Sequence, residues 1–268
     1  MAETNQFDLR KLNDHESLKS VDFLEATPST NDCAKQLIQQ PGLVDNLLKE
    51  CPKLVLTNCQ TAGRGQKNRN WWSGQGSLTI SLIETLPEPT PHLTSGLATA
   101  LSLAQLISDI DYDIKPHIKW PNDLFVNGRK MGGILIESVR HQRIGFKIVG
   151  IGINVNNSLK HLPAAVQESA ITLREVTGQH HDMTSFLLRL LDHYFAIQKR
   201  CQKESKQVVQ DCLDRSLHTL GETLDFRLPN GQRINGKFAG YSERGGILID
   251  QTGDPIEYLS GTIDLPTP

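Results

Sequence analysis

The chain has 268 residues, 28 Lys+Arg against 30 Asp+Glu, and a formal net charge of −2. So even a balance excludes a surface built to coat nucleic acid, which needs a large basic excess. With 38% hydrophobic and 22% charged residues it reads as an ordinary globular protein.

The N-terminal stretch Met1 to Asp8 carries neither a basic n-region nor an apolar h-region, so no secretory signal is read there. Its longest apolar runs, such as Leu54-Val55-Leu56 and Ile134-Leu135-Ile136, are too short to span a bilayer. Cys33, Cys51, Cys59, Cys201 and Cys212 show no CxxC spacing, and their odd number speaks against a disulfide framework or a zinc site. A reducing cytoplasm is the expected compartment.

In chain order, Ser29-Thr30-Asn31 opens the first predicted helix, because these residue types satisfy the free N–H groups of a helix start. Strands are expected at Leu54–Thr57, Leu78–Ile83, His117–Trp120, Leu124–Val126, Gly133–Ser138 and Phe146–Val155, each rich in Val, Ile and Leu and bounded by Gly, Pro or Asn. Between them Leu93–Ile107 has helical spacing of Leu97, Ala100, Leu101, Ala104 and Ile107. Residues from about 162 to 218 read as helical, with one apolar stripe of Phe186, Leu187, Leu190, Leu191, Tyr194 and Phe195 for core or lid packing. From about 219 the chain changes character. Glycines punctuate short β segments at Leu224–Leu228, Arg233–Gly240 and Gly246–Ile249, and Asn230-Gly231 signals a hairpin turn. This predicts a small β-barrel, with a boundary near Leu217–Leu220 dividing residues 1–218 (core from about 21) from 219–268.

Two stretches carry the candidate chemistry. The first, Gln60-Thr61-Ala62-Gly63-Arg64-Gly65-Gln66-Lys67-Asn68-Arg69-Asn70-Trp71-Trp72, follows a predicted strand. Between Cys51 and Ile83 the only charged residues are Lys53, Arg64, Lys67 and Arg69, so no acid of that segment neutralises them. A Gly/Arg loop that orders over an anion and a solvated surface loop both fit this pattern. A Walker A loop does not, since the GK[ST] ending is absent. The second stretch is Lys119-Trp120-Pro121-Asn122-Asp123, followed by Arg129-Lys130-Met131-Gly132-Gly133-Ile134-Leu135-Ile136-Glu137. It places an amide and a carboxylate at a strand end, with Lys130 nearby as either a strand-edge residue or a pocket cation.

All three tryptophans fall in these two stretches, as walls for a ligand or as anchors for the loops. Gly150-Ile151-Gly152-Ile153-Asn154 fails as a dinucleotide fingerprint, but its strand glycines allow close approach of a ligand or of backbone. His180-His181 reads as solvated and Cys59 as an inert, partly buried thiol.

Taken together, Ser29-Thr30-Asn31, Gln60 to Gly65, Lys119 to Asp123, Arg129 to Leu135 and Gly152-Ile153-Asn154 make the chain resemble the biotin protein ligase family, the biotin–[acetyl-CoA-carboxylase] ligases, from about Val21 to the C-terminus. The resemblance implies an α+β fold, with a central mixed β-sheet flanked by helices and a C-terminal SH3-like barrel. It implies activation of biotin with ATP and Mg²⁺ to biotinyl-5′-AMP, then transfer to a lysine of a biotin carboxyl carrier protein. Lys130, Arg64 and Asp123 would be catalytic. Ser29, Thr30, Asn31, Gln60, Arg64, Gly65, Gln66, Lys130 and Gly133 would bind biotin. Arg64, Lys67, Arg69, Trp71, Lys119, Asn122, Lys130 and Asn154 would bind ATP. No residue is assigned to a metal. The family also admits a homodimer.

Two departures stand out. Many relatives continue the loop as Gly-Arg-Gly-Arg, whereas this chain has Gly65-Gln66-Lys67, so retention of the adenylate is expected to rest on Lys67 and Arg69 and to be weaker. About twenty residues precede Val21, too few for the helix-turn-helix domain of repressor-type relatives, so no DNA partner is expected. The alternatives are a lipoate–protein ligase, which shares the adenylate chemistry, and a non-catalytic biotin-binding module.

Overall fold

The computed structural model describes residues 6–42, 44–86 and 92–264. Seven strands form one mixed sheet: β1 (Ser20–Thr27), β2 (Lys53–Gln60), β3 (Ser77–Leu86), β4 (His117–Lys119), β5 (Asp123–Val126), β6 (Arg129–His141) and β7 (Ile144–Asn154). Their order is β1-β2-β3-β7-β6-β5-β4. Only β1 and β2 run parallel. A parallel pair needs a crossover, here α2 (Thr30–Gln39) and α3 (Val44–Glu50). The strands expected from sequence are present. Strand β1 was not among those expected, and β6 begins earlier than predicted. The turn Asn127-Gly128, with φ of 51° and 72°, lets β5 fold straight back into β6, so Lys130 lies inside a strand and pairs with Phe125.

The two faces of this sheet are covered differently. One face is largely apolar, broken by a Glu84–Lys147 ion pair whose carboxylate accepts the Tyr194 hydroxyl. Leu54, Leu56, Leu78, Ile80, Leu82, Ile151 and Ile153 pack with Leu97, Ala100, Leu101 and Ala104 of α4 (His92–Ile110). Behind α4 lies α7 (Met183–Lys203), whose stripe of Phe186, Leu187, Leu190, Leu191 and Tyr194 is buried in the same core.

The other face is divided along its length. Towards one end Val55, Ile83, Phe146 and Ile148 carry Ala34 and Ile38 of α2 and Val44 and Leu47 of α3. Further along the same rows the residues shrink: Ser81 pairs with Gly150, Thr79 with Gly152, and Gly152 with Gly133. Side chains two apart share a face, so these rows form a floor of glycines and hydroxyls just beyond the N-terminus of α2. Ser29 caps that terminus, its side chain accepting from the Asp32 N–H. The site described below stands on this floor.

A second, antiparallel sheet comprises β8 (Thr223–Arg227), β9 (Arg233–Tyr241), β10 (Ile247–Asp250), β11 (Pro255–Tyr258) and β12 (Thr262–Ile263), in the order β11-β10-β9-β8-β12. The expected barrel is not closed, because β11 and β12 are opposite edges with no pairing between them. A strand of two residues and one of four are too short to wrap back and meet. The hairpin turn expected at Asn230-Gly231 is present and joins β8 to β9. It is a three-residue loop starting at Pro229, in which only Gly231 has positive φ (87°) and its N–H donates to Leu228 O. Proline's fixed φ suits the first position of such a turn. Trp120 seals the two sheets into one core: its ring lies 5.9 Å from that of Phe226 and its Nε1 donates to Gly245 O at 2.9 Å.

His180 is exposed, but His181 is half-buried, with its N–H donating to Asn156 Oδ1 and its Nε2 2.9 Å from Thr177 Oγ1. The pair is therefore not simply solvated. All five cysteines are free, and burial pushes the thiol of Cys51 up to about 11. Among the described residues no helix is long and apolar enough to cross a membrane.

Candidate active site

A cavity of about 150 Å³ opens over the glycine floor. It brings together Ser29, Thr30, Asn31, Gln60, Arg64, Gly65, Gln66, Lys67, Arg69, Trp71, Lys119, Asn122, Asp123, Lys130 and Gly133, which are far apart in the chain. Asn154 is not among its walls. It lies buried further along β7, where its Oδ1 accepts from Asn157 Nδ2 at 3.1 Å.

At one end is a buried network of short polar side chains. The Gln60 Oε1 accepts from the Thr30 N–H at 2.8 Å and from Thr30 Oγ1 at 3.1 Å. The Ser81 hydroxyl lies 2.6 Å from Asn31 Oδ1 and 2.8 Å from Thr30 Oγ1. Asn31 Nδ2 donates to Glu137 Oε2 at 2.8 Å and to Leu135 O at 3.2 Å. Gly150 is what admits Asn31: a Cβ there would sit 2.9 Å from its amide carbon.

Among the cations, Lys130 stands over Gly133, whereas Arg64 and Lys35 flank the polar network on Asp32 and Glu137. Lys130 Nζ is 2.7 Å from Asp123 Oδ1 and 5.9 Å from the centre of the Trp71 ring. Both Asp123 Oδ1 and Lys130 Nζ lie 3.2 Å from where a Cβ on Gly133 would be, so only glycine leaves that pair its present place. Arg64 Nε donates to Asp32 Oδ2 at 3.2 Å, and its Nη2 contacts Asp32 Oδ1 and approaches Glu137 Oε2 at 3.9 Å. The loop's segment is acid-free, yet α2 and β6 supply the balancing carboxylates. Lys35 joins them, 2.7 Å from Glu137 Oε1. Burial lowers the Lys119 ammonium below the usual lysine range, against the opposing pull of Asp123. The Asn122 amide is engaged with backbone, its Nδ2 donating to Ile134 O.

The Gly/Arg loop covers the floor. Within it the Gly65 N–H donates to Arg69 O at 2.7 Å and the Trp71 N–H to Gly63 O at 2.9 Å. The Trp71 indole rests on Gly152, where a Cβ would stand 2.8 Å from Nε1. That Nε1 is buried with no hydrogen-bond partner. Trp72 is exposed, and Trp120 both lines the cavity and anchors the second sheet.

Sequence reasoning missed Asp32, Ser81 and the strap Gly261-Thr262-Ile263, which forms part of the cavity wall. It quoted Glu137 without giving it a role. Asp32 follows the Ser-Thr-Asn motif directly, so it was within reach. The strap had no local signal, since only the docking of the second sheet brings it here.

A family model, biotin/lipoate A/B protein ligase family, matches residues 24–154. A Bacillus subtilis protein named bifunctional ligase/repressor BirA is 29% identical over 217 residues, covering 79% of this chain and 66% of that protein, so the chain spans a little under two thirds of its length. The biotin–[acetyl-CoA-carboxylase] ligase of Mycobacterium tuberculosis is 27% identical over 252 residues, 91% of this chain and 88% of the relative. Among solved structures, biotin protein ligase from Aquifex aeolicus in complex with biotin and ATP superposes with a TM-score of 0.76 at 30% identity, covering 92% of this chain and 98% of that one. With this agreement of sequence and fold along almost its whole length, the chain belongs to the biotin protein ligase family.

Proposed function

We propose that the protein activates biotin with ATP to biotinyl-5′-AMP and passes the biotinyl group to a lysine of a biotin carboxyl carrier protein. The observation that carries this reading is a single cavity that sets a network of short hydrogen-bonding side chains, Thr30, Asn31 and Gln60, alongside two cations, Arg64 and Lys130. A ureido ring offers one carbonyl and two N–H groups, which suit short amides and hydroxyls. The acid's carboxylate then falls towards the cations.

In the first step a biotin carboxylate oxygen attacks the α-phosphorus of ATP, the new P–O bond forms, and the bond to pyrophosphate breaks. Two anions must meet, and Lys130 with Arg64 neutralises them where charge concentrates. Asp123 and Asp32 balance these cations without substrate, so substrate anions take over a charge partner instead of meeting bare cations. Asp123, released from Lys130, is then placed to accept a proton from the incoming lysine. In the second step that neutral amine attacks the acyl carbon, the C–N bond forms and AMP leaves.

Mg²⁺ neutralises the triphosphate when it is bound. Among the described residues no three His, Cys, Asp or Glu side chains converge, a donor set that fits an ion carried in on the phosphates and not a protein cage.

The test is pyrophosphate release from ATP driven by biotin or by lipoate. Release with biotin alone supports the reading. Release with lipoate alone would replace it with a lipoate ligase, and release with neither acid would leave a binding module.

Gly150→Ala should weaken biotin binding by about tenfold or more, because its Cβ displaces Asn31 from Ser81. Gly145→Ala is the control: its Cβ would meet Leu86 at an ordinary 3.4 Å. Calorimetric titration of both variants checks this, and equal affinities would remove Asn31 from the biotin subsite.

A further inference from the structure

Lys67 lines the cavity, with its ammonium engaged by the second sheet. Its Nζ donates to Gly261 O at 3.2 Å and to Thr262 Oγ1 at 2.5 Å, on the strap entering β12. Lys67 itself stands at φ 55° inside the single turn Gln66–Asn68, a left-handed conformation that side chains rarely adopt. The strap is firmly seated. Gly261 lies so close against Phe226 that no side chain fits there, Thr262 and Ile263 pair with Arg227 and Phe226 of β8, and Ile263 is buried. One end of the contact is thus a glycine loop with three backbone bonds of its own, and the other is core.

We propose that Lys67 and the Gly261-Thr262 strap form a latch that fastens the Gly63–Trp71 loop over the cavity, so that the second sheet sets how long the activated intermediate stays bound. Lys67 is then a positioning residue. Its ammonium is held by the strap, so the role it was expected to play on the phosphates falls to Arg64, Arg69 and Lys130. In this chain, where Gln66 adds no charge to the loop, a tether to the second sheet takes the place of a further charged contact to the ligand. The effect on the intermediate rests on the adenylate reading above, whereas the latch itself does not.

The experiment compares native protein with Lys67→Ala, Lys67→Arg, Thr262→Val and the Lys67→Ala/Thr262→Val double variant. Two quantities are read: amide exchange at Gly65 and Trp71 in the ligand-free protein, and the release rate of labelled biotinyl-AMP. Loss of a part-exposed charged hydrogen bond should speed both by about fivefold in Lys67→Ala and about threefold in Thr262→Val. The double variant should exceed neither rate of Lys67→Ala, since both changes break one contact. Lys67→Arg should restore most of the retention, and the rate of adenylate formation should stay within about twofold of native in Thr262→Val.

Native exchange and release in Thr262→Val, with weaker ATP binding in Lys67→Ala, would overturn the latch and return Lys67 to the phosphates. Additive effects in the double variant would overturn it as well. If no adenylate forms even in native protein, the adenylate reading fails and amide exchange alone decides the latch.

Discussion

Lys130→Ala should abolish useful adenylation, lowering biotin-dependent pyrophosphate release by roughly 10²–10³-fold. The reason is positional. Lys130 is carried inside β6 by the tight Asn127-Gly128 turn, and its Nζ projects beside Asp123 at the end of the cavity where both substrate anions must arrive. Arg64 does not replace it, because its guanidinium is held by Asp32 and lies towards Glu137, not beside Asp123. Stability should change by no more than about 1 kcal/mol, since the Lys130–Asp123 pair is partly open to solvent, where ion pairs are worth little. Lys130→Arg should recover only a small part of the rate. It keeps the charge, but the space beside Gly133 is already filled by Nζ and Cε at 3.2 and 3.3 Å from the Cβ position. Stopped-flow pyrophosphate release checks both variants. Near-native turnover in Lys130→Ala would remove this residue from the chemistry.

Trp120→Ala should be the most damaging single change to the fold. The ring is 2% exposed, stacks at a tilt on Phe226, and uses its only donor on Gly245 O. Its removal leaves a cavity between the two sheets and an unpaired buried carbonyl, at a cost of about 3–5 kcal/mol. Trp120→Phe keeps most of the apolar volume and should cost less, chiefly the hydrogen bond. Urea unfolding measures both. If the second sheet comes loose before the first, Trp120→Ala should also lose the single sharp transition. The strap Gly261–Ile263 belongs to the second sheet, so this variant should release biotinyl-AMP faster even below its unfolding midpoint. A Trp120→Ala protein as stable as native would mean that the two sheets are held together elsewhere.

Much of the fold was legible because hydrophobic period is a local property. The stripe on α7 and the spacing in α4 both turned out to face one core. The candidate site residues were legible as a group, and the cavity gathers all of them except Asn154. What could not be read was which residues meet. The run from Cys51 to Ile83 is acid-free in sequence, yet Arg64 is neutralised by Asp32, a residue 32 positions away. Gly150 and Gly152 read as room for a ligand or for backbone. They turn out first to be room for Asn31 and Trp71, which no local pattern could distinguish. The barrel expectation rested on counting short strands, and closure depends on strand length and stagger, which the count does not contain. Lys67 was read by its charge alone, while its partner is 195 residues further on. The near-zero total charge, finally, spoke against a nucleic-acid coat but said nothing of charge collected around one small cavity.

The most direct test of the account is mass detection of biotinyl-lysine on a biotin carboxyl carrier domain incubated with biotin, ATP and Mg²⁺. One biotinyl group on one carrier lysine with native protein, and none above background with Lys130→Ala, is the predicted result. An unmodified carrier with native protein, or equal labelling by the two proteins, would contradict it.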